Sequence, residues 1–228
     1  MIELWHILQQ FGSGIFITLS ISIGALLLGL ILSITLTGCE LSRFWILRVP
    51  VIGYTAFVRS VPEILIIFSL FFSVDFVFKS LGFGLIPPNP MLVGIIALSI
   101  IFSAYATQIF VGTYRNLPKG QLEACDIFGL SLTTKIFQII LPQVFRYSLP
   151  ALNNLWLVLL KDSALVSLVG IGDLIYEAQM AAIQTGKPFN LFIVVALIYL
   201  GVTYFSEIFS KKLQRLLNKP YAENVYLC

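Results

Sequence analysis

The residues best equipped for chemistry in this chain are charged and amide side chains stranded inside apolar sequence. Arg59 and Glu63 stand four positions apart in FVRSVPEIL, with Pro62 between them freeing a backbone carbonyl. Asn153, Asn154, Lys161, Asp162 and Ser163 load the single run NNLWLVLLKDS, joined further on by Ser167, and Gln108 lies in SAYATQIF near Ser103 and Thr107. A charge at the bilayer centre costs about 2.5–3.5 kcal/mol on insertion scales, so each such group needs a partner or an aqueous cavity. Two chemistries are open. In the first, the groups satisfy one another: Arg59 pairs with Glu63 across a Pro-broken helix, Lys161 and Asp162 pair with another helix, and Gln108 bonds a neighbouring helix. In the second, the broken helix exposes polar groups to a central pathway. There Asp162, Glu63 or the Gln108 carbonyl reads a basic side chain, and Asn or Ser donors meet a carboxylate. Asn154, Lys161 and Asp162 fall on roughly one side of a helix of about 3.6 residues per turn, although Leu157, Val158 and Leu165 interrupt any continuous polar stripe. Catalysis has less to work with. The one histidine, His6, stands near the N-terminus, so no buried His dyad or Cys/His metal spacing arises. No G-x-x-x-x-G-K-[ST] phosphate loop occurs, so energy from ATP has to enter through a partner, and no cofactor is implied.

These residues must be positioned by membrane helices. The chain of 228 residues is 58% hydrophobic and 11% charged, with a mean hydropathy of +0.96. That composition is too apolar for a soluble protein and fits a polytopic one. Apolar stretches of about 20 residues suit helices crossing the hydrocarbon layer, whereas strand-type spanning needs shorter, alternating segments. Five spans are predicted, over about 11–37, 51–78, 91–112, 149–169 and 189–210. Arg43 and Arg48 follow the first, Arg115, Lys119, Lys135 and Arg146 the third, and Lys211, Lys212, Arg215 and Lys219 the fifth; the other side has Lys79 and Lys187. By the positive-inside rule the N-terminus is external and the C-terminus cytoplasmic. The net charge of +3 is small and lies between spans, so it forms no nucleic-acid face.

The N-terminus MIELWHILQQFG has no basic residue before the first apolar run, so it reads as retained sequence and as a short interfacial helix, not a secretory signal. Ser20, Gly24, Ala25 and Gly29 give the first span a small-residue face for close helix packing. SLGFGLIPPNP reads as an external turn region, a connector with a possible bearing on partner docking. Cys39, Cys125 and Cys228 are odd in number and fall at the cytoplasmic end, so no disulfide framework is expected. One transmembrane domain, 1–220, includes a cytoplasmic loop over about 115–146 and is followed by a short tail, 221–228.

That loop holds EACDIFGLSLTTKIFQIILP, polar and turn-bearing between apolar blocks. Glu123, Ala124, Gly129, Ile139, Leu141 and Pro142 stand at the spacing of an E-A-A, three residues, G, nine residues, I-x-L-P signature, with Cys125 in place of the second Ala. The segment resembles the coupling loop of the membrane subunits of ABC importers, in which a short cytoplasmic helix sits in a groove of the ATPase. Such a helix needs a small packing face, acidic side chains such as Glu123 and Asp126 to engage the partner, and a Gly to turn into the next helix. An ordinary helix-turn-helix connection explains the Glu and the Gly but not all the positions in register.

The resemblance covers nearly the whole chain. AYATQIF, LPKGQLEACDIFGLS, ILPQVFRYSLPALNNLWLVLLKDSALVSL and the region Arg59 to Pro62 look like the polar amino acid branch of these permeases. NNLWLVLLKDSALVSL looks most like permeases for arginine, histidine and other basic amino acids. The chain departs from many members at Gln108, where they have Glu, and at Val111, where they have Arg; charged contacts made there by relatives do not carry over. The resemblance implies an all-α, type I importer permease of five transmembrane helices in a bacterial inner membrane. It also implies a permease dimer of two identical chains or of this chain with a sister chain, two ATPase subunits, an external solute-binding protein and an amino acid substrate. An ion-gradient-driven secondary transporter or channel is the rival; it accounts for Lys161 and Asp162 but not for the cytoplasmic signature.

Overall fold

The computed structural model describes residues 2–80 and 89–222. Those residues are built from helices and turns, in the order α1 (Ile2–Glu40), α2 (Trp45–Ser60), α3 (Glu63–Ser80), α4 (Pro90–Arg115), α5 (Lys119–Ile127), α6 (Leu132–Thr134), a π-helical segment Lys135–Ile140, α7 (Leu141–Asp162), a 3-10 segment Ser163–Val169, α8 (Leu174–Thr185) and α9 (Pro188–Ala222). Among them, Gln9–Glu40, Pro90–Arg115, Leu132–Val169 and Pro188–Arg215 are each long and apolar enough to cross a membrane. The pair α2–α3 makes a fifth span if it is one broken crossing.

Local chemistry explains the breaks. Val61 precedes Pro62, whose ring drives the preceding residue out of the helical region; Val61 is extended at φ −102°, ψ 136°, and α2 and α3 meet at 110°. The second predicted span is therefore two helices. α4 begins on Asn89, whose Oδ1 accepts the Met91 N–H at 3.0 Å, with Pro90 in the first turn. The fourth predicted span also needs correction: α-helix stops at Asp162, and the remainder to Val169 is 3-10, closed by Gly170 at φ +81°. Upstream, helix is already present from Leu132, within the segment expected to be loop. The π-helical turns precede Pro142, whose ring crowds the carbonyl four residues back; widening the turn relieves that crowding.

The N-terminal segment is not a separate interfacial helix, because its backbone runs without a break into α1. The turn region SLGFGLIPPNP lies largely outside the described residues, as does most of the tail, Cys228 included. Cys39 is half-buried, Cys125 is buried, and both are free thiols.

α4 is the centre of the bundle, buried along Ala97, Leu98, Ile101, Phe102 and Phe110. α1 packs along it through the predicted small face: a Cβ on Gly29 would stand 2.7 Å from Phe102 Cδ1, and one on Gly24 3.0 Å from Ile95 Cδ1. Burying Phe102 and Ile67 removes them from water and lipid alike, so packing contacts carry the cohesion. α7 covers α4 on another side, and α8 and α9 close a second small core around Phe11, Leu174, Ala178, Ala181 and Val195.

Candidate functional site

The polar turn between α4 and α7 is held from within and open without. α5 carries Glu123, Ala124, Cys125 and Asp126. It ends with the Phe128 N–H donating to the Ala124 carbonyl at 2.9 Å, Gly129 to Asp126 at 3.1 Å, and Leu130 to Cys125 at 3.1 Å. Gly129 takes φ +66°, a left-handed conformation that a Cβ disfavours. Ser131 then caps the next helix, its Oγ accepting the Thr134 N–H at 3.2 Å. Across the turn Lys135 Nζ meets both Asp126 oxygens, at 2.7 and 2.9 Å, a brace that the residue spacing did not foretell. The side chains left outside are Glu123, Ile127 and Phe128, the last two 84% and 80% exposed, with Leu132 and Phe137 beside them in sequence. Acidic and apolar surface together, on a braced turn, is what a docking element offers another protein. Cys125 is turned inward, while Ile139, Leu141 and Pro142 sit on the helix that follows, Ile139 half-buried and the other two exposed.

The intramembrane polar residues do not form one group. Arg59, at the end of α2, and Glu63, at the start of α3, meet around Tyr105 of α4. The Tyr105 hydroxyl donates to Glu63 Oε1 at 3.2 Å, and the Arg59 guanidinium lies over its ring, 5.7 Å from the centroid. The Arg59–Glu63 ion pair, the first of the two alternatives open in the sequence, does not form, since the 110° bend separates the two positions that a continuous helix would bring together. Asp162, at the end of α7, feels the charge of Glu63 and of its neighbour Lys161. Lys161 makes no ion pair with another helix among the described residues. The bend, Tyr105 and the α7 terminus thus gather two carboxylates and two cations, with Arg59 and Lys161 exposed and Glu63 and Asp162 half-buried.

Gln108 belongs elsewhere. Its Nε2 donates to Glu40 Oε2 at 2.8 Å and to Thr55 Oγ1 at 3.2 Å, while Arg115 approaches the other Glu40 oxygen at 3.7 Å. Glu40 is only 4% exposed, so this network fastens the end of α1 to α2 and α4. Neither Glu40 nor Tyr105 was singled out from sequence; Tyr105 stands three residues before Gln108, and that proximity was the available signal. Asn153 lines a cavity of about 550 Å³ between α1, α4, α7 and α9, otherwise mostly apolar, and its Oδ1 is buried without a partner. Asn154 is exposed, and Ser163 is fully buried, donating to the Leu160 carbonyl at 2.8 Å. Among the described residues no cluster of His, Cys, Asp or Glu is suited to a metal.

Residues 25–219 match the family described as binding-protein-dependent transport system inner membrane component. The arginine ABC transporter permease protein ArtQ of Haemophilus influenzae is 39% identical over 197 residues, covering 86% of this chain and 88% of that protein. The histidine/lysine/arginine/ornithine transport system permease protein HisQ of Escherichia coli is 35% identical over 198 residues, covering 85% and 87%. Among solved structures, an amino acid ABC transporter crystallised with histidines superposes with a TM-score of 0.83 at 24% identity, over 94% of this chain and 97% of that one. The MetNI methionine ABC transporter in an inward-facing conformation superposes with a TM-score of 0.72 at 16% identity, over 92% and 96%.

Proposed function

The chain belongs to the family of binding-protein-dependent transport system inner membrane components, and from that premise we propose how it works as the permease of an ATP-driven amino acid importer. Its cargo is a polar amino acid with a basic side chain. The observation that carries this assignment is the pairing of Glu63 and Asp162 near Tyr105, where two carboxylates at the α2–α3 bend and the α7 terminus face a region also reached by Arg59 and Lys161. Carboxylates complement a cationic side chain and the cations complement the α-carboxylate, so one small zwitterion with an extra positive charge satisfies both. The relatives named for arginine and for histidine, lysine, arginine and ornithine support the same class.

The permease works as a dimer, with itself or with a sister chain, in the bacterial inner membrane. Its N-terminus is external and its C-terminus cytoplasmic, as the Lys and Arg distribution favours. The residues 1–220 act as one domain, and the α5 turn is the coupling element. Glu123, Ile127 and Phe128 present its docking face to one of two ATPase subunits, while Ala124, Cys125, Asp126, Gly129, Ile139, Leu141 and Pro142 shape the turn and its exit. ATP-driven closure of the ATPase pair brings the coupling turns of the two permeases together and rocks the pathway outward, where a solute-binding protein delivers the cargo. Nucleotide and binding protein drive this only through different affinities for the two states.

Reconstitution with the ATPase and binding protein, with competition among labelled arginine, histidine, lysine and glutamine, tests the reading. Basic solutes should compete and glutamine should not; preference for glutamine or an acidic solute overturns the cargo assignment. Glu123→Arg should abolish ATP-coupled uptake; uptake and assembly left intact would remove the coupling role. Gradient-driven uptake by this chain alone would establish a secondary carrier instead.

A further inference from the structure

Among the described residues α5 shares no extended packing face with another helix. Its far end enters α6 through Gly129 at φ +66°, in open space, with nothing within 4 Å of where a Cβ would stand. A glycine so placed restrains rotation little. A helix joined at one such pivot passes on force but not orientation, whereas a second attachment away from the pivot fixes the angle between the two helices.

The second attachment is present. Backbone hydrogen bonds close the turn locally, and the Lys135 N–H donates to the Ser131 carbonyl at 2.9 Å at its exit. Beyond them, Lys135 Nζ donates to both carboxylate oxygens of Asp126, nine residues back, at 2.7 and 2.9 Å. The Lys135 side chain is 17% exposed and that of Asp126 69%, so the lysine is largely covered where the carboxylate is open. Surface ion pairs are weak and salt-sensitive in water, but a bidentate one holds a single geometry. A protein docked over it strengthens it by excluding water. With both oxygens engaged, Asp126 serves the turn itself. Glu123, without an ion pair among the described residues, is the α5 acid left to meet another protein. Lys135 is also the first residue of the π-helical segment leading into α7.

We infer that Lys135 is a positioning residue: its pair with Asp126 fixes the angle between α5 and the helix running to Asp162, so that displacement of α5 reaches that helix and is not spent as rotation at Gly129. The inference rests on the proposed coupling role of the α5 turn. It separates transmission, by Asp126 and Lys135, from docking, by Glu123, Ile127 and Phe128.

Two measurements test it. The first needs no transport: hydrogen exchange of the Phe128, Gly129 and Leu130 amides in the full-length chain in nanodiscs, with the α4 amides as reference. Lys135→Gln and Asp126→Asn should each lower protection about two- to fivefold. Salt at about 1 M, where the Debye length is about 3 Å, should do the same to the unaltered chain, which keeps the test available if a variant does not assemble. The reversed pair, Asp126→Lys with Lys135→Asp, should restore protection.

The second is labelled arginine imported per ATP hydrolysed, after reconstitution with the ATPase and binding protein. The single variants should keep the ATPase bound but import severalfold less arginine per ATP, and the reversed pair should regain the ratio. Turn protection unchanged in every variant and in salt overturns the brace, whatever transport does. Lowered protection with an unchanged arginine-to-ATP ratio overturns transmission. Loss of ATPase co-purification in Asp126→Asn, not regained in the reversed pair, makes Asp126 a docking group and overturns it as well. A wild type that imports no arginine with ATP overturns the functional reading and transmission with it, while the exchange result still decides whether the pair fixes the turn.

Discussion

Gln108 is held by two acceptors, Glu40 at 2.8 Å and Thr55 at 3.2 Å, so its amide nitrogen is already spent on the protein. Removing Glu40 leaves Gln108 with Thr55 alone and one amide N–H unpaired in a partly buried site, and it takes from Arg115, itself 56% exposed, its carboxylate partner. Glu40→Ala should therefore lower stability by about 1–3 kcal/mol, read as a fall in the thermal midpoint of the purified chain. Glu40→Gln, which can still accept from Gln108, should cost less. On the proposed cargo reading, Glu63→Gln and Asp162→Asn should each reduce the preference for arginine over glutamine in competition assays while leaving the ATPase bound. Equal loss for both solutes would place these carboxylates in structure, not selectivity. The sequence identified Glu63 and Asp162 because charge in an apolar run is conspicuous. It could not identify Glu40, whose partner lies 68 residues away and depends on how α1 is set against α4.

Helices in this fold are positioned by glycine where backbones meet and freed by glycine where the chain turns. Gly14→Ala would drive a methyl group to within 2.8 Å of the Leu174 backbone, which cannot swing aside, and should cost about 1–3 kcal/mol. Gly53→Ala has nothing within 4 Å and should be neutral or mildly stabilising, by up to about 1 kcal/mol from helix propensity; thermal midpoints of the two variants make the comparison. Gly129→Ala meets no neighbour either, but its φ of +66° imposes about 1–2 kcal/mol of strain. Because that strain falls on the turn proposed to couple to the ATPase, co-purification of the ATPase should weaken while the helix content of the membrane bundle is unchanged. Among these features, the turn at Gly129 and the small face of α1 were legible from residue type and spacing. The α2–α3 bend was legible only as a break: Pro62 specifies where the helix ends, but the 110° angle comes from how α2 and α3 each pack on α4. The conversion of 163–169 to 3-10 helix was hidden, since SALVSLV is as apolar as the span it completes.

At the scale of the molecule, the proposed orientation predicts accessibility. In a chain with its native cysteines replaced, Ser13→Cys and Lys187→Cys should react with a membrane-impermeant thiol reagent added to intact cells, and Gly120→Cys should react only after the membrane is opened. The reverse pattern would invert the topology and remove the coupling turn from the cytoplasm. The bundle also joins its two ends mechanically. From Leu132 at the exit of the α5 turn to Asp162 beside the polar cluster, the chain is helical without interruption, its one irregular stretch being the π-helical Lys135–Ile140. Such a rod is about 45 Å long, and a tilt of about 5° about one end carries the other through about 4 Å, comparable with the gap between a closed and an open contact. A push along such a rod would be absorbed where its hydrogen bonding is broken, at the π-helical turns before Pro142 and at Pro150 inside α7. Substitutions there would change how much of a push on the proposed coupling turn arrives at Asp162, without touching either end.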